Sequence, residues 1–163
     1  MDKNEFTRLV RHEQEPLRRL LLALCLGDRM LADDLAQETL VKAYLSCGTY
    51  HDQGQFTAWT YRIAYRTFLD HRRSLRPTAH LDTAREVMAE SAPDGAFRYD
   101  ALYAALATLP ERERTALLLF YLKGYAVREI SGIMECGEDA VKKQLQRGRE
   151  HLRTKLGKDG KGL

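Results

Sequence analysis

Apolar side chains recur at spacings of three and four along almost the whole chain, and nowhere do they alternate over a useful length. A period near 3.6 gathers them on one helix face, whereas a half-buried strand needs a period of two. The fold class that follows is all-α. A first helix carries Phe6, Leu9, Val10 and Glu13 on one face. Pro16 stands where a new helical segment can begin, running through Leu17, Leu20, Leu21 and Leu24 to a stop at Gly27. Asp28 caps the next helix. Its inner stripe is Leu31, Leu35, Thr39, Leu40, Ala43 and Tyr44, which leaves Asp34, Gln37, Glu38, Val41 and Lys42 outside. Residues 46–55 read as loop, and a long helix runs from about Phe56 to Arg73.

Residues 75–98 break the pattern with Pro77, Pro93 and Gly95, a net negative charge and weak periodicity. That is the composition of a tether, so the chain divides into two small helical domains, 1–74 and 99–163, joined by a flexible linker over 75–98. Past the tether, helices are expected over Tyr99–Leu109, from Pro110 to Leu122, over Val127–Met134 and from about Glu138 to Leu156. Breaks fall at Lys123-Gly124-Tyr125 and Glu135-Cys136-Gly137.

The net charge of +3 is unevenly spread: residues 1–74 hold 11 basic against 10 acidic side chains, residues 75–100 hold 3 against 5, and residues 101–163 hold 12 against 8. Six cations and one acid lie between Lys142 and Lys155, a density that attracts phosphate. The longest uncharged apolar run, Leu20–Gly27, is far shorter than the ~20 residues of a spanning helix, and the N-terminus is too mixed in charge for a signal peptide. No membrane insertion is expected, and the cytoplasm is the expected compartment. Cys25, Cys47 and Cys136 are odd in number and far apart, which fits reduced thiols better than disulfides or paired metal ligands. His12, His51, His71, His80 and His151 are scattered, with no His-x-x-x-His, Walker sequence or nucleophile elbow. Asp28, Asp33 and Asp34 are the acids a helix dipole favours in its first turns. No catalytic residue, metal, cofactor or small-molecule substrate is expected.

The short helix, glycine-containing turn and longer basic helix at the C-terminus form a helix-turn-helix pattern. Val141, Leu145, Gly148, Leu152 and Leu156 make one inward stripe. This turns Lys142, Lys143, Gln144, Gln146, Arg147 and Arg149 outward or to the flanks, the residue types that meet base edges and phosphates. On charge and spacing alone, a three-helix bundle with a solvated basic face remains open. The helix from Phe56 also has two faces: Phe56, Trp59, Ile63 and Thr67 form one stripe, and Tyr61, Tyr65 and Phe68 another. Rings interleaved with Arg62, Arg66, Arg72 and Arg73 suit unstacked bases on a single strand, with core packing as the competing use of each ring. The preceding polar loop, with Tyr50 in it, could cup an extruded base.

These segments together resemble a known family. Asp33-Asp34-Leu35-Ala36-Gln37-Glu38-Thr39-Leu40-Val41-Lys42-Ala43-Tyr44 resembles the polymerase-binding helix of the extracytoplasmic-function group of sigma-70 factors. Phe56-Thr57-Ala58-Trp59-Thr60-Tyr61-Arg62-Ile63-Ala64, ending in Asp70-His71-Arg72-Arg73, is similar to that group's promoter-melting helix. Leu109-Pro110-Glu111-Arg112-Glu113-Arg114, Tyr125–Ile130 and Val141-Lys142 are similar to its −35-reading domain. Order and length agree over almost the whole chain.

The resemblance implies a dissociable subunit of RNA polymerase, not an enzyme, with core polymerase and promoter DNA as partners. An anti-sigma partner that could hold it at the membrane is also implied. It implies docking on the core enzyme by Asp34, Gln37, Glu38, Val41 and Lys42. It implies −10 recognition by Tyr50, Trp59, Tyr61, Arg62, Tyr65, Arg66, Arg72 and Arg73, and −35 recognition by Lys142, Lys143, Gln144, Gln146, Arg147 and Arg149. The tether's negative charge would mimic nucleic acid in the polymerase channel. The rival readings are a sigma-like mimic that binds a regulator without promoter activity, and a stand-alone regulator using only the C-terminal domain. Four positions depart from the family pattern: Arg66 stands where Asn is common, Ala140 where Thr is usual, Glu135 where Gly is frequent and Gly137 where Ser is frequent. Because a left-handed backbone at a non-glycine residue is costly, the hairpin turn is expected to pivot at Gly137 instead of Glu135.

Overall fold

A computed structural model describes residues 1–50, 55–75 and 97–160. Among these residues there is no strand, and seven α-helices follow one another: α1 (Lys3–Leu24), α2 (Arg29–Ser46), α3 (Phe56–Leu75), α4 (Phe97–Ala107), α5 (Glu111–Leu117), α6 (Val127–Met134) and α7 (Glu138–Gly160). A 3-10 turn over Cys47–Thr49 follows α2, and a wider turn over Leu118–Leu122 extends α5, closed by Lys123 N–H donating to the Leu118 carbonyl at 3.2 Å. The tether over residues 76–96 and the loop residues 51–54 lie outside the described residues, with His51 and His80 among them.

The helix ends obey local chemistry. Asp2 accepts from the Glu5 N–H at 2.8 Å and Asp28 from the Leu31 N–H at 3.1 Å, each relieving a donor that the first turn leaves unpaired. At the start of α6 the Glu129 carboxylate reaches back to the Ala126 N–H at 3.0 Å.

Pro16 does not begin a new helix, contrary to the sequence expectation. α1 runs through it without interruption. A proline inside a helix costs about 3 kcal/mol, but Leu17, Leu20, Leu21 and Leu24, which follow it, are all essentially buried. Each such leucine contributes about 1.5–3 kcal/mol, which outweighs one lost hydrogen bond.

The second correction concerns the hairpin turn between α6 and α7. The left-handed residue is Glu135, at φ 56° and ψ 47°, and Gly137 is not at positive φ. The Glu135 and Cys136 N–H groups both turn back to the Ser131 carbonyl, while the Ser131 hydroxyl donates to the Cys136 carbonyl. That closed set of bonds holds the backbone at a conformation glutamate would not choose by itself.

The two helical domains do not have separate interiors. Leu17, Leu20, Leu21, Leu24, Tyr61, Tyr65 and Phe68 from the N-terminal segment belong to the same apolar cluster as Leu106, Leu109, Leu117, Leu119, Ile130 and Val141 from the C-terminal one. A smaller cluster, Phe6, Ala43, Cys47, Tyr50 and Phe56, seals the far end of α1–α3.

Candidate nucleic-acid interface

In the hairpin, Val141, Leu145 and Gly148 of α7 are buried against α5, as their spacing predicts. Gly148 allows the close approach: a Cβ there would lie 2.8 Å from Leu117 Cδ1. His151 Nδ1 lies 2.7 Å from the buried Glu113 carboxylate, a second fixture between the same helices. With the inner face held, Lys142, Lys143, Gln146 and Arg147 are exposed and Gln144 is half-buried. Arg149 folds back onto its own domain. Its Nε donates to the Tyr121 hydroxyl at 2.7 Å, and its guanidinium stands 5.5 and 5.6 Å from the Phe120 and Tyr121 ring centres.

The outer face of α2 is as expected and longer. Asp34, Gln37, Glu38 and Val41 are exposed, and Lys42 is half-buried, its ammonium donating to Thr67 Oγ1 of α3 at 3.2 Å and lying 3.4 Å from Glu38. Met30 (80% exposed) and Leu45 (75%) extend this face at both ends. Met30, Asp34, Gln37, Val41 and Leu45 fall at i, i+4, i+7, i+11 and i+15. They form one apolar-tipped stripe with no covering element in the described structure. Sequence reasoning found its middle and missed its ends; the same spacing rule that located the buried stripe would have found them.

On α3 the outcome is mixed. Trp59 is half-buried; Tyr50, also expected to meet a base, is only 8% exposed, with its ring centre 4.8 Å from that of Trp59 and its hydroxyl accepting from the Gln55 N–H at 3.2 Å. Arg62 and these two rings line one cleft. Tyr61 and Tyr65, expected to offer ring faces to bases, are 2% and 5% exposed. They lie on the side of α3 that packs on the C-terminal domain, where Tyr61 meets Tyr125 edge-on, so in this arrangement neither ring is open to a base. Burial pushes the Tyr61 and Tyr65 hydroxyls up from their usual pKa, and that of Tyr125 up to about 12.

The remaining arginines of α3 are engaged. Arg72 Nε donates to Glu111 at 3.1 Å, and Arg73 lies 3.9 Å from Asp70. Burial alone would raise the Glu111 carboxyl; the hydrogen bonds from its own N–H and from Arg72 outweigh it and hold the pKa below the usual range. Arg66 places Nε and Nη2 on the two carboxylate oxygens of Glu135.

One basic residue of the Leu109–Arg114 motif has a role that the sequence does not announce. Arg114 is 3% exposed, and its guanidinium donates to the carbonyls of Leu24, Leu106 and Leu109. Leu24 ends α1, so Arg114 ties together backbone carbonyls on both sides of the domain boundary. Burial, aided by nearby Arg72, brings its pKa down to about 10. Lys123 makes a similar tie, its ammonium donating to the Pro16 carbonyl at 2.9 Å. A charged side chain reads as surface in a sequence, and only its position in the fold shows otherwise.

Comparison with known proteins separates the readings of these surfaces. The sigma-70 region 2 family matches residues 9–78 and the sigma-70 region 4 family matches residues 99–152. The chain is 30% identical over 166 residues to the RNA polymerase sigma-H factor of Pseudomonas aeruginosa, covering 93% of this chain and 86% of that protein. It belongs to the extracytoplasmic-function sigma factors. It is also 27% identical over 170 residues to the sigma factor SigW of Bacillus subtilis, covering 95% of this chain and 90% of the relative. In fold it is similar to the sigma factor RpoE solved with the anti-sigma factor NepR from Bartonella quintana. That match has a TM-score of 0.74 and 22% identity, and covers 95% of this chain and 98% of that one. The region 2 match contains the stripe on α2 and all of α3; the region 4 match contains the hairpin. Among the described residues no helix of this sigma factor is long and apolar enough to cross a membrane.

Proposed function

We propose that this sigma factor divides its work between two domains: residues 1–74 dock on core RNA polymerase and read the −10 element, and residues 99–163 read the −35 element. The observation that carries the reading is the coexistence, in one chain of this family, of three surfaces of different chemistry. They are the apolar-tipped stripe on α2, the ring-and-arginine cleft beside Trp59 and Arg62, and the cationic outer face of α7.

The stripe from Met30 to Leu45 is the docking face, with Asp34, Gln37, Glu38, Val41 and Lys42 at its centre. The exposed apolar tips Met30, Val41 and Leu45, set among side chains of both charge signs, suit a protein partner better than a polyanion. Trp59, Tyr50 and Arg62, beside the loop that follows the 3-10 turn, receive an unstacked base, with Arg66, Arg72 and Arg73 following the single strand; Tyr61 and Tyr65 join them only once α6 moves off α3. Lys142, Lys143, Gln144, Gln146 and Arg147 meet the major groove, where Lys or Arg reads guanine and Gln reads adenine; Arg149 joins them only once it leaves the Tyr121 hydroxyl. Linking two weak grips makes the second contact intramolecular, so promoter spacing matters as much as either element. No covalent chemistry is assigned to the chain. Its place of action is the cytoplasm, with an anti-sigma protein as the regulator.

The test is transcription from a randomised promoter library with purified core polymerase and this chain. Enrichment of templates sharing two elements at fixed spacing is the expected result. Transcripts indistinguishable from those of core enzyme alone would sink the assignment and favour a mimic that binds only a regulator.

A further inference from the structure

Two of the residues that depart from the family pattern, Arg66 and Glu135, are 69 positions apart in sequence and are bonded to each other in the fold. We propose that they form an intramolecular latch that holds the helix-turn-helix domain shut over the −10-reading face of α3. This inference rests on the assignment of those two DNA-reading surfaces.

Three observations carry it. The pair is a fork-on-fork contact, with two guanidinium nitrogens on two carboxylate oxygens, the most geometrically demanding form of ion pair. The charge pairing lowers the Glu135 carboxyl from its usual pKa and raises that of Arg66, chiefly through that hydrogen bond in each case. Second, Glu135 occupies the left-handed turn position that glycine takes without strain. A non-glycine residue kept there calls for a reason outside the turn, and Arg66 supplies one.

Third, the closed arrangement covers the surface that nucleic acid would need. A cleft of about 760 Å³ between the domains has Tyr50, Trp59 and Arg62 on one wall and Arg128, Gly132 and Ile133 of α6 on the other. A second cleft of about 400 Å³ lies beside the latch, between Arg66 and Arg73 of α3 and Glu135 and Gln144 of the hairpin. α6 therefore stands where stacked bases would lie.

The shut form and the promoter-bound form exclude each other on length as well. Arg147 is 12 residues from Glu135, roughly 18 Å along a helix, so the reading face of α7 sits within roughly 20 Å of α3. By their nominal positions the −10 and −35 elements lie about 25 base pairs apart, roughly 85 Å at about 3.4 Å per step. The 21 residues between Leu75 and Phe97 are enough to reach about 70 Å when extended. Gripping both elements therefore requires the latch to break. Both partners are substantially exposed, with side chains 57% and 40% accessible, so the ion pair is weak and salt-sensitive and adds a small increment to the shared apolar cluster that already holds the two domains together. It sets a threshold for opening without being a lock.

The experiment is hydrogen exchange on the full chain, followed at the amides of α3 and α6, together with transcription by core polymerase on the randomised promoter library. Glu135→Gln keeps the size of the side chain and removes its charge. Exchange over Thr60–Phe68 should rise two- to fivefold, the range an exposed ion pair supports. Arg66→Gln should do the same. The double variant Arg66→Glu with Glu135→Arg should return exchange toward the parent value. Raising salt should speed exchange in the parent and leave Glu135→Gln unmoved. At sub-saturating sigma factor, Glu135→Gln should raise transcript yield by a similar factor, because apparent affinity scales with the open fraction.

Unchanged exchange over α3 in both single variants, or no recovery in the charge swap, overturns the latch. If that happens while transcription proceeds normally, the assignment of function stands alone. If exchange moves as expected and no variant supports transcription, the latch stands and the functional reading fails.

Discussion

Gly148 lies in the middle of the longest C-terminal helix, where replacing glycine with alanine ordinarily stabilises by about 1 kcal/mol. The structure reverses that sign. A Cβ at 148 would stand 2.8 Å from Leu117 Cδ1, 3.1 Å from Leu117 Cγ and 3.6 Å from Glu113 Cβ. Carbon atoms prefer about 3.5–4.0 Å, so Leu117 would have to retreat by roughly 0.7 Å or more. Leu117 is only 3% exposed, so its side chain has to shift within a packed interior. Overpacking of this kind costs about 1–3 kcal/mol, and subtracting the propensity gain leaves Gly148→Ala destabilising by about 1 kcal/mol. For a chain of this length that lowers Tm by about 2–4 °C. Circular-dichroism melting measures it directly. Leu117→Ala removes the obstructing carbons, so in that background Gly148→Ala should stabilise, with a coupling of about 1–3 kcal/mol between the two sites. A higher Tm for Gly148→Ala alone would show that α5 and α7 do not pack as described.

Three further outcomes are expected. Val41→Asp, at a site 57% exposed on α2, should change stability by less than about 0.5 kcal/mol and weaken association with core polymerase by about tenfold or more; equal affinity by fluorescence anisotropy would move docking elsewhere. If Arg147 meets phosphate, Arg147→Ala should lower the slope of log affinity against log salt by about 0.9, measured with holoenzyme on a −35-containing promoter, and an unchanged slope removes it from the phosphate contacts. Burial, then Asp28, pushes the Cys25 thiol up to about 12, and burial does the same to Tyr125. An acid that holds its proton more tightly when folded stabilises fully below its unfolded pKa and loses that contribution as pH rises through the folded value. Stability to urea should therefore fall progressively above about pH 8.5, and a flat profile to about pH 11 would contradict the burial.

The helices were legible because their inner faces repeat faithfully. The stripe Val141, Leu145, Gly148 predicts the buried face of α7, and Leu35, Thr39 and Ala43 that of α2, where Leu31 and Leu40 are half-buried and Tyr44, expected inside, is 38% exposed. Pro16 was misread because a local rule was applied where the apolar residues after it decide the outcome. Glu135 differs for the converse reason: the steric rule points to Gly137, but the local bonds to Ser131 hold the turn at Glu135, and the partner at Arg66, 69 positions away, is a fact that no window of sequence contains. The same limit explains Tyr61 and Tyr65. Their spacing showed that α3 has a second face, while what that face meets depended on how the two domains pack.

The apolar cluster common to both domains has a calorimetric consequence. Opening would wet side chains such as Leu106, Ile130 and Tyr61 that are now dry, which raises heat capacity, whereas docking of the α2 stripe onto another protein dries surface and lowers it. Assembly with the polymerase would then be an exchange of wetted for dried area. Its heat-capacity change should be smaller in magnitude than the contact area alone implies, and the unbound chain should spend most of its time folded in on itself.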